Sequence, residues 1–158
     1  MIVSFDLDDT LFISPERTPA EKKLMFPLCL IYHDRLRLGT KKLFEYLYEN
    51  DIRTWIYTTS FRSLFYIRSL FRHYGLHLDN IINGAVHQKE VQGSRADAMP
   101  SKYPSKYRIS LHVDDDRSVE SNGKLYGFNV YLITDNDSEW VENIIEKIKH
   151  IRRSQSGN

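Results

Sequence analysis

Three apolar runs in this 158-residue chain each stop abruptly on a polar cluster. Ile2-Val3-Ser4-Phe5 ends at Asp6-Leu7-Asp8-Asp9, Arg53 to Tyr57 ends at Thr58-Thr59-Ser60, and Arg108 to Val113 ends at Asp114-Asp115-Asp116. Short runs of β-formers bounded in this way read as buried strands entering polar loops. Helical spacings lie between them. Leu43, Phe44, Leu47 and Tyr48 follow Thr40, a plausible N-cap. Phe61, Leu64, Phe65, Leu70, Phe71 and Tyr74 precede Gly75, which sits where a C-terminal cap belongs. Ile81-Ile82 reads as a minor strand and Asn129 to Ile133 as another after Gly127. Glu139 to Arg152 reads as a closing helix with Trp140, Ile144, Ile145, Ile148 and Ile151 on one face. Strands alternating with helices predict right-handed crossovers and a mainly parallel sheet, whose ligands bind beyond the carboxyl ends of the strands. The acid and hydroxyl clusters all fall at those ends.

A chain of this length suits one domain, assigned to residues 1–153, with 154–158 as a frayed tail. Pro15, Pro19, Pro27 and Gly39 interrupt residues 12–39, which read as an irregular flap or minimal cap holding one short helix. His87 to Pro100 is polar and weakly patterned, with Gln92-Gly93-Ser94-Arg95 marking a mobile loop. The net charge of +1 supplies no global attraction to nucleic acid or an anionic membrane. A single cysteine, Cys29, makes no internal disulfide and suits a reducing compartment. With no signal-type start and no bilayer-length segment, a cytoplasmic protein without a membrane partner is expected.

Asp6 and Asp8 lie one residue apart just past a buried strand, so both can be held rigidly at one crevice. One can attack while the other shuttles protons. Phosphoryl transfer needs such a nucleophile, an acid for the leaving oxygen, and donors or positive charge around the equatorial oxygens. Thr58 supplies a hydroxyl and Lys102 an ammonium, while Asp115 completes an oxygen site for a hard cation. Carboxylates crowded at one sheet edge repel, and Mg2+, which favours oxygen ligands, relieves that repulsion.

At these residues the chain resembles the haloacid dehalogenase (HAD) superfamily. The family's first motif is an apolar strand followed by Asp-x-Asp-x-Thr, here Asp6-Leu7-Asp8-Asp9-Thr10. Trp55-Ile56-Tyr57-Thr58 is similar to the motif in which a strand ends in Thr or Ser, and Leu111-His112-Val113-Asp114-Asp115 to the fourth, in which a strand ends in paired acids. The resemblance spans nearly the whole chain. It implies a HAD-type, Rossmann-like three-layer α/β sandwich and a Mg2+-dependent phosphatase acting through an aspartyl-phosphate. Asp6 would be nucleophile and Asp8 general acid/base, with Thr58 and Thr59 binding the phosphoryl group. Mg2+ would sit on Asp6, the Asp8 main-chain carbonyl and Asp115, with Asp114 binding metal through water or orienting the lysine. Asp8 argues against the dehalogenase branch, which lacks that additional acid. Lys102 is preferred as the third-motif lysine over Lys106, which should lie at the start of the next strand, and over Lys89. The fourth motif departs from the form with a later acid, because Val119 occupies that position.

None of the six histidines shows zinc-type spacing, and none is assigned to catalysis. Arg62 is singled out because its place after Thr58-Thr59-Ser60 could bring it to the substrate. The expected partner is a phosphorylated substrate, small or macromolecular. Competing readings are a phosphotransferase of the same family, a non-catalytic HAD-like module and a receiver-like phosphoacceptor. A receiver's accepting aspartate ends the middle strand, whereas the strand ending at Tyr57 meets hydroxyls instead.

Overall fold

A computed structural model describes residues 1–93 and 100–156. Ser94 and Arg95 of the expected loop, and residues 157–158 of the tail, lie outside the described residues. Five strands run parallel: β1 (Ile2–Phe5), β2 (Arg53–Tyr57), β3 (Asn80–Ile82), β4 (Leu111–Asp114) and β5 (Val130–Leu132). Their order is β3-β2-β1-β4-β5, so the middle strand is β1 and not the strand ending at Tyr57. Every residue of β1 and β4 is buried, as expected for parallel strands covered on both faces.

Strand alternation sorts the chemistry. Val3, Phe5, Ile56, Leu111 and Val113 join the main core, where α1 (Thr40–Glu49), α2 (Leu64–His73) and α5 (Trp140–Ser156) pack. Phe44 of α1 stacks on Phe71 of α2 at 5.7 Å between ring centroids. The intervening residues face the other way. Ile2 and Tyr57 join a smaller cluster with Ile82 and Ile109. Ser4, Asp6, His112 and Asp114 alternate with the apolar positions and form a polar seam on that face.

Several elements depart from expectation, each for a local reason. Gly39 at φ 94°, not Thr40, caps α1, while the Thr40 hydroxyl turns back to the Arg37 carbonyl at 2.7 Å. Helix α2 starts at Leu64 because the Ser63 side chain accepts from the Tyr66 N–H. After β3, α3 (Gly84–His87) opens with Asn83 as its cap and continues into a wider turn over Gln88–Gln92. The unexpected α4 (Arg117–Tyr126) buries only Val119 and Gly123, which explains its weak apolar pattern. Asp116 caps it, accepting from Ser118 N–H at 2.7 Å, and Gly127 ends it at φ 70°. Residues 12–39 hold one short helical turn, Leu28–Leu30, and α5 continues to Ser156, through part of the expected frayed tail. No helix among the described residues is long and apolar enough to cross a membrane.

Arg37 braces the loop that follows β1. It is 2% exposed and donates from Nε to the Thr10 carbonyl (2.8 Å), from Nη2 to Asp9 (3.2 Å) and from Nη1 to Thr134 (3.0 Å). Burial lowers its pKa, against the fields of Asp135 and Asp137. Arg37→Met leaves those carbonyls without their donor and should destabilise the fold by about 2–3 kcal/mol. Urea denaturation checks this; an unchanged midpoint would remove Arg37 as a brace.

Candidate active site

Asp6 enters the site from the end of the central strand, its N–H bonded to the Val113 carbonyl at 2.9 Å. The chain then turns tightly. The Leu7 carbonyl accepts from Leu11 (2.9 Å) and Phe12 (2.6 Å), and Asp9 takes φ 55°. This turn carries Thr10 round so that its buried hydroxyl donates to Asp115 Oδ1 at 2.9 Å. The final residue of the Asp-x-Asp-x-Thr pattern thus orients an acid beyond the neighbouring strand.

Lys102 lies between the two buried acids, its Nζ 2.5 Å from Asp114 Oδ2 and 3.0 Å from Asp6 Oδ1. Only the first has the alignment of a hydrogen bond, so Asp6 Oδ1 is buried without an aligned donor. Burial raises the Asp6 pKa; Lys102 opposes that shift and Asp114 adds to it. Burial also pushes Asp114 upward, but His112 and Lys102 outweigh it and hold the carboxyl below its ordinary range. Burial alone would lower the Lys102 pKa, yet its two carboxylate partners raise it. Lys106 is exposed and bonds the Glu90 carbonyl, and Lys89 is exposed, so Lys102 is the lysine brought into the site.

Asp6, Asp114 and Asp115 offer oxygens within 4.8 Å of one another. Set against Lys102, three ionised acids leave two uncompensated negative charges, matching a divalent cation. Hard oxygen donors and the undonated Asp6 Oδ1 fit Mg2+. Asp114 is already heavily used: Oδ2 meets Lys102 and His112 (2.8 Å), and Oδ1 accepts from the Asp116 N–H at 3.0 Å. Asp6 and Asp115 are therefore the freer side-chain donors.

Asp8 sits at the rim, half exposed, with Arg62 Nη1 2.8 Å from its Oδ1. Arg62 also donates to Ser60 Oγ at 2.8 Å and reaches Asp34, in the irregular segment between β1 and α1, at 3.3 Å, where Tyr66 OH donates at 2.9 Å. Register sets Asp6 level with Tyr57, and Thr58 one residue further along β2. Thr58 is buried, its Oγ1 accepting from the Ser60 N–H at 3.2 Å, whereas Thr59 is exposed. Gly84 supports this turn by donating to the Ser60 carbonyl at 2.8 Å; a Cβ there would overlap the Thr59 carbonyl and lie 3.0 Å from the Phe61 ring. Gly84→Ala should raise KM and cost about 1–3 kcal/mol, because backbone must move to admit the methyl. Steady-state kinetics with thermal melts checks this, and a neutral variant would show that the turn does not hold substrate.

The spacing of single motifs does not disclose Ser4, His112, Asp34, Arg37 or Gly84 as neighbours of the site. For Ser4 and His112, two-residue alternation through Asp6 and Asp114 is the signal that places them. A concavity of about 950 Å3 among the described residues lies away from this chemistry, with Ile52, Arg53, Thr54 and Asp79 at the opposite ends of β2 and β3. Convergent acids beside a buried ammonium outweigh cavity size in choosing the site.

No protein-family model matches the chain, and no curated protein matches it. Among solved structures, a HAD-superfamily hydrolase of subfamily IA, variant 1, from Geobacter sulfurreducens PCA is similar at TM-score 0.53 and 12% identity, over 83% of this chain and 88% of that one. A predicted HAD-like family hydrolase from Porphyromonas gingivalis aligns over 93% of this chain and 97% of that one, at 15% identity and TM-score 0.48. The first likeness is one of fold: five parallel strands flanked by helices in a Rossmann-like α/β architecture.

Proposed function

We propose that this chain is a Mg2+-dependent phosphomonoester hydrolase working through an aspartyl-phosphate on Asp6. The observation that carries this reading is the convergence of Asp6, Lys102, Asp114 and Asp115 at the carboxyl ends of the adjacent strands β1 and β4. An Asp6 carboxylate oxygen attacks phosphorus as the ester P–O bond breaks, and Asp8 protonates the departing alkoxide. Asp8 then takes a proton from water, which attacks the acyl phosphate and releases inorganic phosphate with Asp6 restored. The Lys102 ammonium and the Thr58 hydroxyl bind the phosphoryl oxygens, with Thr59 beside them. Asp6, Asp115 and the Asp8 main-chain carbonyl, assisted by Asp114, would hold Mg2+, which would neutralise charge on the incoming phosphate.

Phosphate release from an aryl phosphate and a phosphometabolite panel, with Mg2+ and with EDTA, tests the proposal. Mg2+-dependent turnover is expected, and equal background rates in both conditions would overturn it. A receiver-like phosphoacceptor draws support from the central position of β1, which ends on Asp6. Lasting phosphorylation of the chain without turnover would identify that behaviour.

A further inference from the structure

The alternation that turns Asp6 and Asp114 to one face places Ser4 and His112 directly behind them, and those two residues are register partners on adjacent strands. All are buried: Ser4, His112 and Asp114 are 0% exposed, and Lys102 is 4% exposed. Ser4 Oγ lies 2.8 Å from His112 Nδ1, His112 Nε2 lies 2.8 Å from Asp114 Oδ2, and that oxygen also accepts from Lys102 Nζ at 2.5 Å. An ionised carboxylate only accepts, so the proton sits on Nε2; Ser4 then completes the ring's other contact and fixes its plane. Lys102 is carried by a segment outside helix and strand, beside Tyr103, whose N–H donates to the Tyr57 hydroxyl at 2.8 Å.

We propose that His112, seated by Ser4, is a positioning residue for the reaction: it clamps Asp114 so that Lys102 presents its ammonium to Asp6 and to the phosphoryl group. The kinetic part rests on the phosphohydrolase reading, while the placement of the ammonium does not. A buried ammonium hydrogen-bonded to a fixed carboxylate exchanges protons slowly, which makes its 15N–1H NMR signal the direct probe.

The test compares native protein with His112→Leu, His112→Gln and Ser4→Ala. Gln retains a donor toward Asp114; Leu fills similar space without one. His112→Leu should lose the Lys102 ammonium signal and lower kcat about tenfold with little change in KM, as loss of an outer partner of a reacting group does. His112→Gln should keep the signal and most of kcat, and Ser4→Ala should fall between. A retained signal and unchanged kcat in His112→Leu would overturn the proposal, as would a His112→Gln variant no better than Leu. If His112→Leu does not fold, Ser4→Ala decides: values equal to native overturn the relay. Should the native chain show no turnover, the phosphohydrolase reading fails while the ammonium signal still decides the relay.

Discussion

Asp6→Asn should leave the fold intact and lower turnover on the order of 10^4-fold or more, because an amide of nearly the same shape cannot act as nucleophile. Its effect on stability should have the opposite sign. A carboxyl whose pKa is raised by folding weakens the native state at neutral pH, where ionisation is forced on a buried group beside Asp114. Asparagine removes that charge while Lys102 keeps Asp114 as partner. The metal-free variant should therefore melt no lower than the native chain, and Mg2+ should stabilise it less. Kinetics, thermal melts and circular dichroism together check this. Turnover within tenfold of native, in a folded variant, would remove Asp6 from the chemistry.

Lys102→Met should damage the fold more than Arg37→Met or Gly84→Ala. Removing one partner from a buried ionic cluster leaves uncompensated charge and typically costs about 3–5 kcal/mol. Here the loss falls on Asp6 and Asp114 together, with Asp115 close by. Turnover should vanish as well. A divalent cation opposes the same repulsion, so Mg2+ should recover part of the lost stability in the inactive variant. Denaturant midpoints with and without Mg2+ check this; a loss below about 1 kcal/mol would mean that the acids do not depend on the ammonium.

The sheet was legible because strands β1, β2 and β4 are bounded runs, and their polar ends mark where the chemistry gathers. Helix α4 was not, since its sequence Ser118-Val119-Glu120-Ser121-Asn122-Gly123 lacks an apolar stripe and its position depends on capping by Asp116 and on close packing of Gly123 against β5. Lys102 could be preferred over Lys106 from its distance to β4, but its seat between two acids arises only from the folded packing. Arg37 and Asp34 were illegible for a related reason: each sits in the irregular segment between β1 and α1 and acts through contacts distant in sequence, at Thr134 and Arg62. Spacing alone does not divide the roles of Asp6 and Asp8, which only the family resemblance assigns, whereas folding buries the former and leaves the latter at the rim beside Arg62.

A covalent phosphate on Asp6 can be trapped chemically. Enzyme turning over an aryl phosphate in Mg2+ would be quenched in acid, reduced with borohydride and digested for peptide mass spectrometry. An acyl phosphate is reduced to an alcohol, so homoserine is expected at position 6, dependent on substrate and absent from Asp6→Asn. Unmodified Asp6 during confirmed turnover, or homoserine at Asp8 or Asp115 instead, would contradict it.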